Sequence, residues 1–468
     1  MLLEPYRQLW ATDDSESVED RVPSRFITIA LLAICIVLPI TIGLVPYNPI
    51  ITLAALAIVI AITGSALFYN IRVFIVFIVP FVYFISGHYP VTLVAVLLFI
   101  SFLGLRLRSG DISFRIPFPL IVALILLAGL NGLSKAVRFD IGRYFLLNTV
   151  LIPLFIFLII YNLRLSTKEI RMSMIIICSL AAIIGWVSLG VNLQSDFSRQ
   201  IVGWDFGTQN RGASFLGLLF PYSLVALIDS RKERSLLLWL WIFLGILAGI
   251  LATQTRAILL AIFVAAIYIS WRDRRAIKVL LPVLIVAIIA VPALIITRMS
   301  MLFGQGMEVD WSSVGRVQMW LNSMTFIPSY FLFGMGIDTF HSIYVTKFPF
   351  VFLRAEHVHN VYLRWLFDYG IFGLMGFSLF IFGCLRRGHR VLRSINIREL
   401  DSSGNVKGWN SESRCILGLT AGLICLLIAG LTDCYLRDIR VSLLFWTMLS
   451  YLLVLSGRFV EDSAHNTN

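Results

Sequence analysis

Polar residues interrupt this chain at short intervals, and between them run apolar stretches of helical membrane-crossing length. A helix needs about 20 apolar residues to cross a bilayer. The pattern predicts spans at 26–46, 49–70, 73–88, 90–105, 117–134, 144–163, 172–191, 211–228, 236–252, 257–271, 279–297, 361–385, 415–433 and 439–457. The third, fourth and tenth are short. The expected fold class is an all-α polytopic integral membrane protein of about 12–14 transmembrane helices. The interval 298–360 breaks the rhythm, because it holds no apolar run long enough to cross. The resulting map is a cytoplasmic tail at 1–25, helices 1–11 at 26–297, an extracytoplasmic loop at 298–360, helices 12–14 at 361–457 around a cytoplasmic loop at 386–414, and a tail at 458–468.

Composition agrees. Of 468 residues, 59% are hydrophobic and 14% charged, and the mean hydropathy is +0.89. Soluble domains carry roughly 25% charged residues. The start of the chain is polar and acidic (Asp13, Asp14, Glu16, Glu19, Asp20), unlike a cleavable signal peptide, so the first span is expected to double as the targeting signal. The net charge of +12 does not point to nucleic acid. Most Lys and Arg fall in alternate loops, including Arg106, Arg108 and Arg115, Arg272, Arg274, Arg275 and Lys278, and the run Arg386, Arg387, Arg390 and Arg393. That alternation orients membrane helices and puts 298–360 outside. The six Cys form no CxxC pair and indicate neither a disulfide framework nor a zinc site.

The candidate chemistry gathers on the outer side. Arginines recur beside amides and hydroxyls: Gln209-Asn210-Arg211, Thr253-Gln254-Thr255-Arg256, and Ser312-Ser313-Val314-Gly315-Arg316. Arg at a membrane boundary can simply snorkel. The outer side, however, is where orientation disfavours Arg, and a guanidinium fork suits a phosphate group. Ser312 and Ser313 are candidate N-caps for a helix over 315–327 ended by Pro328.

His357, His359 and Asn360 stand just before the twelfth span. A lone His is most often structural. His359 is nevertheless placed at a helix start, where the dipole disfavours the charged ring and favours a neutral base; His357 is a second candidate. Asn360, Arg364 and Asp368 follow at helical spacing as one polar stripe, in which Arg364 and Asp368 can pair and neutralise each other. Glu356, His357 and His359 are too close in sequence to converge on one ion, and no nucleotide loop is present, so neither metal nor cofactor is expected.

Thr255-Arg256-Ala257, then Gly315-Arg316 with Trp320, then Phe333-Gly334-Met335-Gly336, then His359-Asn360-Val361-Tyr362-Leu363 running into Tyr369-Gly370-Ile371-Phe372-Gly373, together resemble the O-antigen ligase and O-antigen polymerase family. The resemblance covers roughly 200–375. It implies a GT-C-like helical body in the bacterial inner membrane with a site facing the periplasm. It also implies a glycosyltransferase moving saccharide from an undecaprenyl-diphosphate donor to a hydroxyl of a glycan or lipid acceptor. By position Arg256 and Arg316 resemble the family's diphosphate-binding arginines and His359 its essential histidine. Arg211, Trp320, Asn360, His357 and Arg364 are the expected substrate-binding residues, and membrane lipids the surrounding partner. Fourteen spans exceed the twelve of a typical ligase and favour a polymerase. The alternative from another class is a transporter or flippase of lipid-linked oligosaccharide, but transporters place polar residues near the bilayer midplane on paired halves.

Overall fold

The computed structural model describes residues 71–77, 79–84, 88–109, 114–194, 208–230, 235–280, 311–349, 356–394 and 411–465. The expected spans at 26–46 and 49–70, and nearly all of 279–297, lie outside these residues.

The described residues are helical, without strands. In chain order the helices are α1 (Ile71–Phe77), α2 (Val79–Val82), α3 (His88–Ser109), α4 (Pro119–Ser134), α5 (Phe139–Leu163), α6 (Thr167–Gln194), α7 (Gln209–Asp229), α8 (Leu236–Thr253) and α9 (Arg256–Arg272). Then follow α10 (Trp311–Met324), α11 (Ile327–Tyr330), α12 (Phe340–Lys347), α13 (Val361–Ser394), α14 (Ser411–Ala429) and α15 (Ile439–His465). Seven of them, α5 to α8 and α13 to α15, are long and apolar enough to cross a membrane. The chain is a multi-pass membrane protein.

Three boundaries differ from expectation. Within the third expected span the described helices are α1 and α2, and the chain turns at Tyr83 and Phe84. Helix α10 starts at Trp311, so Ser312 and Ser313 lie in its first turn, and Pro328 opens α11; Pro is tolerated at a first turn because that N–H has no helical partner. Helix α13 runs on to Ser394, through residues expected in the cytoplasmic loop. Helix α9, at 17 residues, is as short as the tenth span was expected to be.

Helices α7 and α15 are the most enclosed spans. Helix α6 packs on α8 at backbone contact: a methyl on Gly185 would strike Gly245, and one on Gly249 would strike Gly185. Small residues let membrane helices approach this closely. Helix α5 carries a π-helical segment, Leu146–Leu151. Its cause is local. Pro153 has no N–H, which releases the carbonyl of Thr149. The hydroxyl of Ser442 on α15 donates to that carbonyl at 2.7 Å.

Between α9 and α13, the described residues 311–349 and 356–360 are held by packing. Met319, Phe326, Met335, Phe340, Tyr344 and Val358 form an apolar cluster with Phe367 of α13 and with Cys434. The Gly334-Met335-Gly336 run is pressed against a break in α13. Gly334 has φ +69 and Gly336 φ +108, and Gly370 has φ +74 and ψ −175, inside what is otherwise helix. The N–H of Met335 donates to Phe367 at 2.7 Å, that of Ile371 to Phe331 at 2.8 Å, and that of Ile337 to Gly132 at 3.0 Å. A methyl on Gly370 would meet the Leu332 carbonyl oxygen at 2.3 Å. The two glycine motifs of the sequence are therefore two halves of one backbone clasp.

Candidate active site

The site begins with the turn that follows α14. Asp433 has a side chain only 9% exposed, yet four donors surround it. His359 Nδ1 lies 3.0 Å from Oδ1, His357 Nε2 3.4 Å from the same oxygen, and the N–H of Cys434 donates to it at 2.7 Å. Asn210 Nδ2 donates to Oδ2 at 2.8 Å. Burial alone would raise this carboxyl. The hydrogen bonds from His357 and His359 and the charges of those rings outweigh it and hold Asp433 well below the usual carboxylate range. An ionised carboxylate only accepts, so His359 carries hydrogen on Nδ1 and His357 carries it on Nε2.

The two rings, 4.1 Å apart, are then chemically different. Burial pushes His357 down to about 4, and its remaining nitrogen, Nδ1, is enclosed without a partner among the described residues. The His359 side chain is 28% exposed, and in the neutral ring the Asp433 contact leaves the lone pair on Nε2, away from the carboxylate. His359 thus presents an oriented basic nitrogen, and His357 buttresses it.

The loop carrying them is fastened at several points. His359 has φ +46, sparsely populated backbone for a non-glycine residue. Asn360, not His359, is the N-cap of α13: its Oδ1 accepts from the N–H groups of Tyr362 at 2.9 Å and Leu363 at 3.0 Å. Its Nδ2 donates to the Leu431 carbonyl at 2.9 Å, and the Val361 N–H donates to Gly430 at 2.8 Å. From the other side Trp320 Nε1 donates to the Val358 carbonyl at 2.8 Å. The ring of His359 is therefore placed by the Asp433 carboxylate beyond the helix end, rather than by the helix dipole.

The arginines approach the same turn by different routes. Arg211, half-buried, follows the Asn210 that binds Asp433 and is close enough to act electrostatically on Tyr144. Arg256 is the exposed first residue of α9, and the hydroxyl of its neighbour Thr255 donates to Asn210 Oδ1 at 3.4 Å. Arg316, half-buried on α10, is among the charges acting on Tyr435, two residues past Asp433. Arg364 goes elsewhere. Its Nε donates to Asp368 Oδ2 at 3.0 Å, with Asp368 buried and Arg364 partly so, and the self-neutralising pair weighed from the sequence is present.

Several site residues were not anticipated. Asp433 heads them, followed by Arg437, whose Nη2 meets Asp338 at 3.1 Å while its guanidinium lies over the Phe145 ring at 4.5 Å. Asp338 in turn donates its N–H to Asp368 Oδ1 at 3.2 Å. The signal available was Asp433, Arg437, Asp438 and Arg440 crowded into one short connection between two spans. The ligand atoms of His357, His359 and Asp433 lie within 4.8 Å of one another, a group that can hold a metal ion. Glu356, weighed with the two histidines from the sequence, is exposed; Asp433 takes that place.

An all-helical membrane body with a carboxylate-oriented histidine and arginines at one end defines a membrane protein with an enzyme-like site. Comparison with family models adds a likeness: residues 241–378 match the O-antigen ligase family. No curated protein matches the chain.

Proposed function

We propose that the chain is a glycosyltransferase that moves or polymerises saccharide units from an undecaprenyl-diphosphate carrier onto a hydroxyl acceptor, at the extracytoplasmic face of the bacterial inner membrane. The observation that carries this reading is the 3.0 Å contact between His359 Nδ1 and Asp433 Oδ1, at the end of a domain matched to the O-antigen ligase family.

The acceptor hydroxyl gives its proton to His359 Nε2 as its oxygen attacks the anomeric carbon. The bond from that carbon to the diphosphate breaks, and its electron pair leaves on the diphosphate. Diphosphate is already a good leaving group, so no strong acid is needed. Arg256 and Arg316 hold the leaving charge, with Arg211 beside them. A well-aimed donor contributes about 2.7–4 kcal/mol to such a step, and a positioned base about 10²–10⁴-fold. Attack from the face opposite the diphosphate inverts the anomeric centre. Trp320, Asn360 and His357 keep the base in register, and metal plays no part in the step.

The test uses the purified full chain in detergent with a lipid-linked saccharide donor and an acceptor glycan or lipid. Product should form without any membrane compartment and persist in EDTA. Transport of the donor across vesicles with no product in either system would favour a flippase. Loss of product in EDTA, restored by zinc, would turn the His357–His359–Asp433 group into a metal centre.

A further inference from the structure

At the far end of α9 and α13 from His359, we propose a binding site for an anionic phospholipid, its phosphodiester headgroup held between Arg272 and Arg393 and an acyl chain lying along α9. Arg272 closes α9 and is 7% exposed. Its Nε and Nη2 are enclosed and have no hydrogen-bond partner among the described residues. A buried guanidinium without acceptors is costly, and phosphate oxygens supply the acceptors its fork requires. Its neighbours make the deficit larger. The charge of Arg393 bears on Arg272, and the charges of Arg272 and Arg393 both bear on His389. His389 lies against the Trp271 ring at 6.3 Å and faces the Tyr268 hydroxyl at 3.4 Å from Nδ1. The nearby carboxylate of Asp273 is taken up by Arg275, at 2.9 Å and 2.6 Å. Among the described residues the cluster is thus basic with no acid of its own.

A lipid fits better than a soluble anion because of what runs away from the cluster. Phe263, Ile267 and Trp271 recur every fourth residue on α9 and are 52%, 53% and 66% exposed. That stripe is apolar along its length and ends in a tryptophan at the basic group, the arrangement expected where an acyl chain meets a headgroup. Basic pockets at helix ends near the membrane surface bind anionic headgroups. The site is separated from His359 by the length of α9, about 25 Å for 17 residues.

The experiment is thermal unfolding and native mass spectrometry of the full-length protein with phosphatidylglycerol, phosphatidylcholine or inorganic phosphate added. Phosphatidylglycerol should raise the melting temperature and remain bound, and phosphatidylcholine should do neither to the same extent. Arg393→Gln alters an exposed side chain, so the protein should fold, and it should bind phosphatidylglycerol about fivefold more weakly, roughly 1 kcal/mol. Arg272→Gln should do the same or more. Equal effects of both lipids, or unchanged binding by folded Arg393→Gln, would overturn the proposal. Inorganic phosphate reproducing the full shift would overturn the lipid and leave a soluble-anion site.

Discussion

His359 and Asp433 stand 74 residues apart in the chain and 3.0 Å apart in space, Nδ1 to Oδ1. In the proposed reaction their interaction divides two tasks: the carboxylate fixes the tautomer and direction of the ring, and the ring supplies the basic nitrogen. Asp433→Asn should therefore lower transfer by about 10²–10⁴-fold, the range of a positioned base, while the protein still inserts and accumulates. His359→Gln should fall equally far, and the double variant little further. Additive losses in steady-state assays would mean the two residues act separately.

Arg316→Lys should lose transfer by about 10²–10³-fold at normal protein levels. Lysine keeps the charge and loses the paired donors. Wild-type turnover in this variant would reduce Arg316 to a source of positive potential.

Stability should depend on His357. Its folded value is about 4, against an ordinary 6.5. Protons therefore favour the unfolded chain: the stability present above about pH 6.5 is progressively lost as pH falls toward 4. The melting temperature should decline by a few degrees over that window, and His357→Asn should flatten the decline. Asp433, held low, adds its own loss only below the usual carboxylate range, under about pH 4.

Gly370→Ala should be among the most damaging single changes. The backbone there, φ +74 and ψ −175, is open almost only to glycine. The added methyl would also meet the Leu332 oxygen at 2.3 Å. A loss of about 1–3 kcal/mol from strain alone is expected, read as a lowered melting temperature and accumulation. Gly104, with nothing within 4 Å, is the control that should tolerate alanine.

Much of this was legible along the chain because the parts are contiguous. His359, Asn360 and the helix they introduce are neighbours in sequence, and so are Gly334 and Gly336. Apolar length alone identifies the long spans such as α7 and α14. What pairs across distance was not legible. Asp433 reads as one acid at the end of a span until the fold sets it under two histidines. Arg364 reads as a donor for substrate until Asp368 is seen to hold it. The third expected span did not hold as one helix because the chain turns at Tyr83 and Phe84 after α2, and apolarity reports burial without reporting continuity.

The clasp between the histidine loop and the turn after α14 has a consequence for inheritance. The stretch matched to the O-antigen ligase family ends at residue 378, whereas the carboxylate that steers His359 arrives only at Asp433. The recognisable segment is thus not a self-sufficient part. Transplanted alone into a foreign scaffold it would bring an imidazole with nothing to aim it. The smallest heritable cassette extends through the α14–α15 connection, so productive crossovers between relatives should fall before α7 or beyond Arg440, and seldom between.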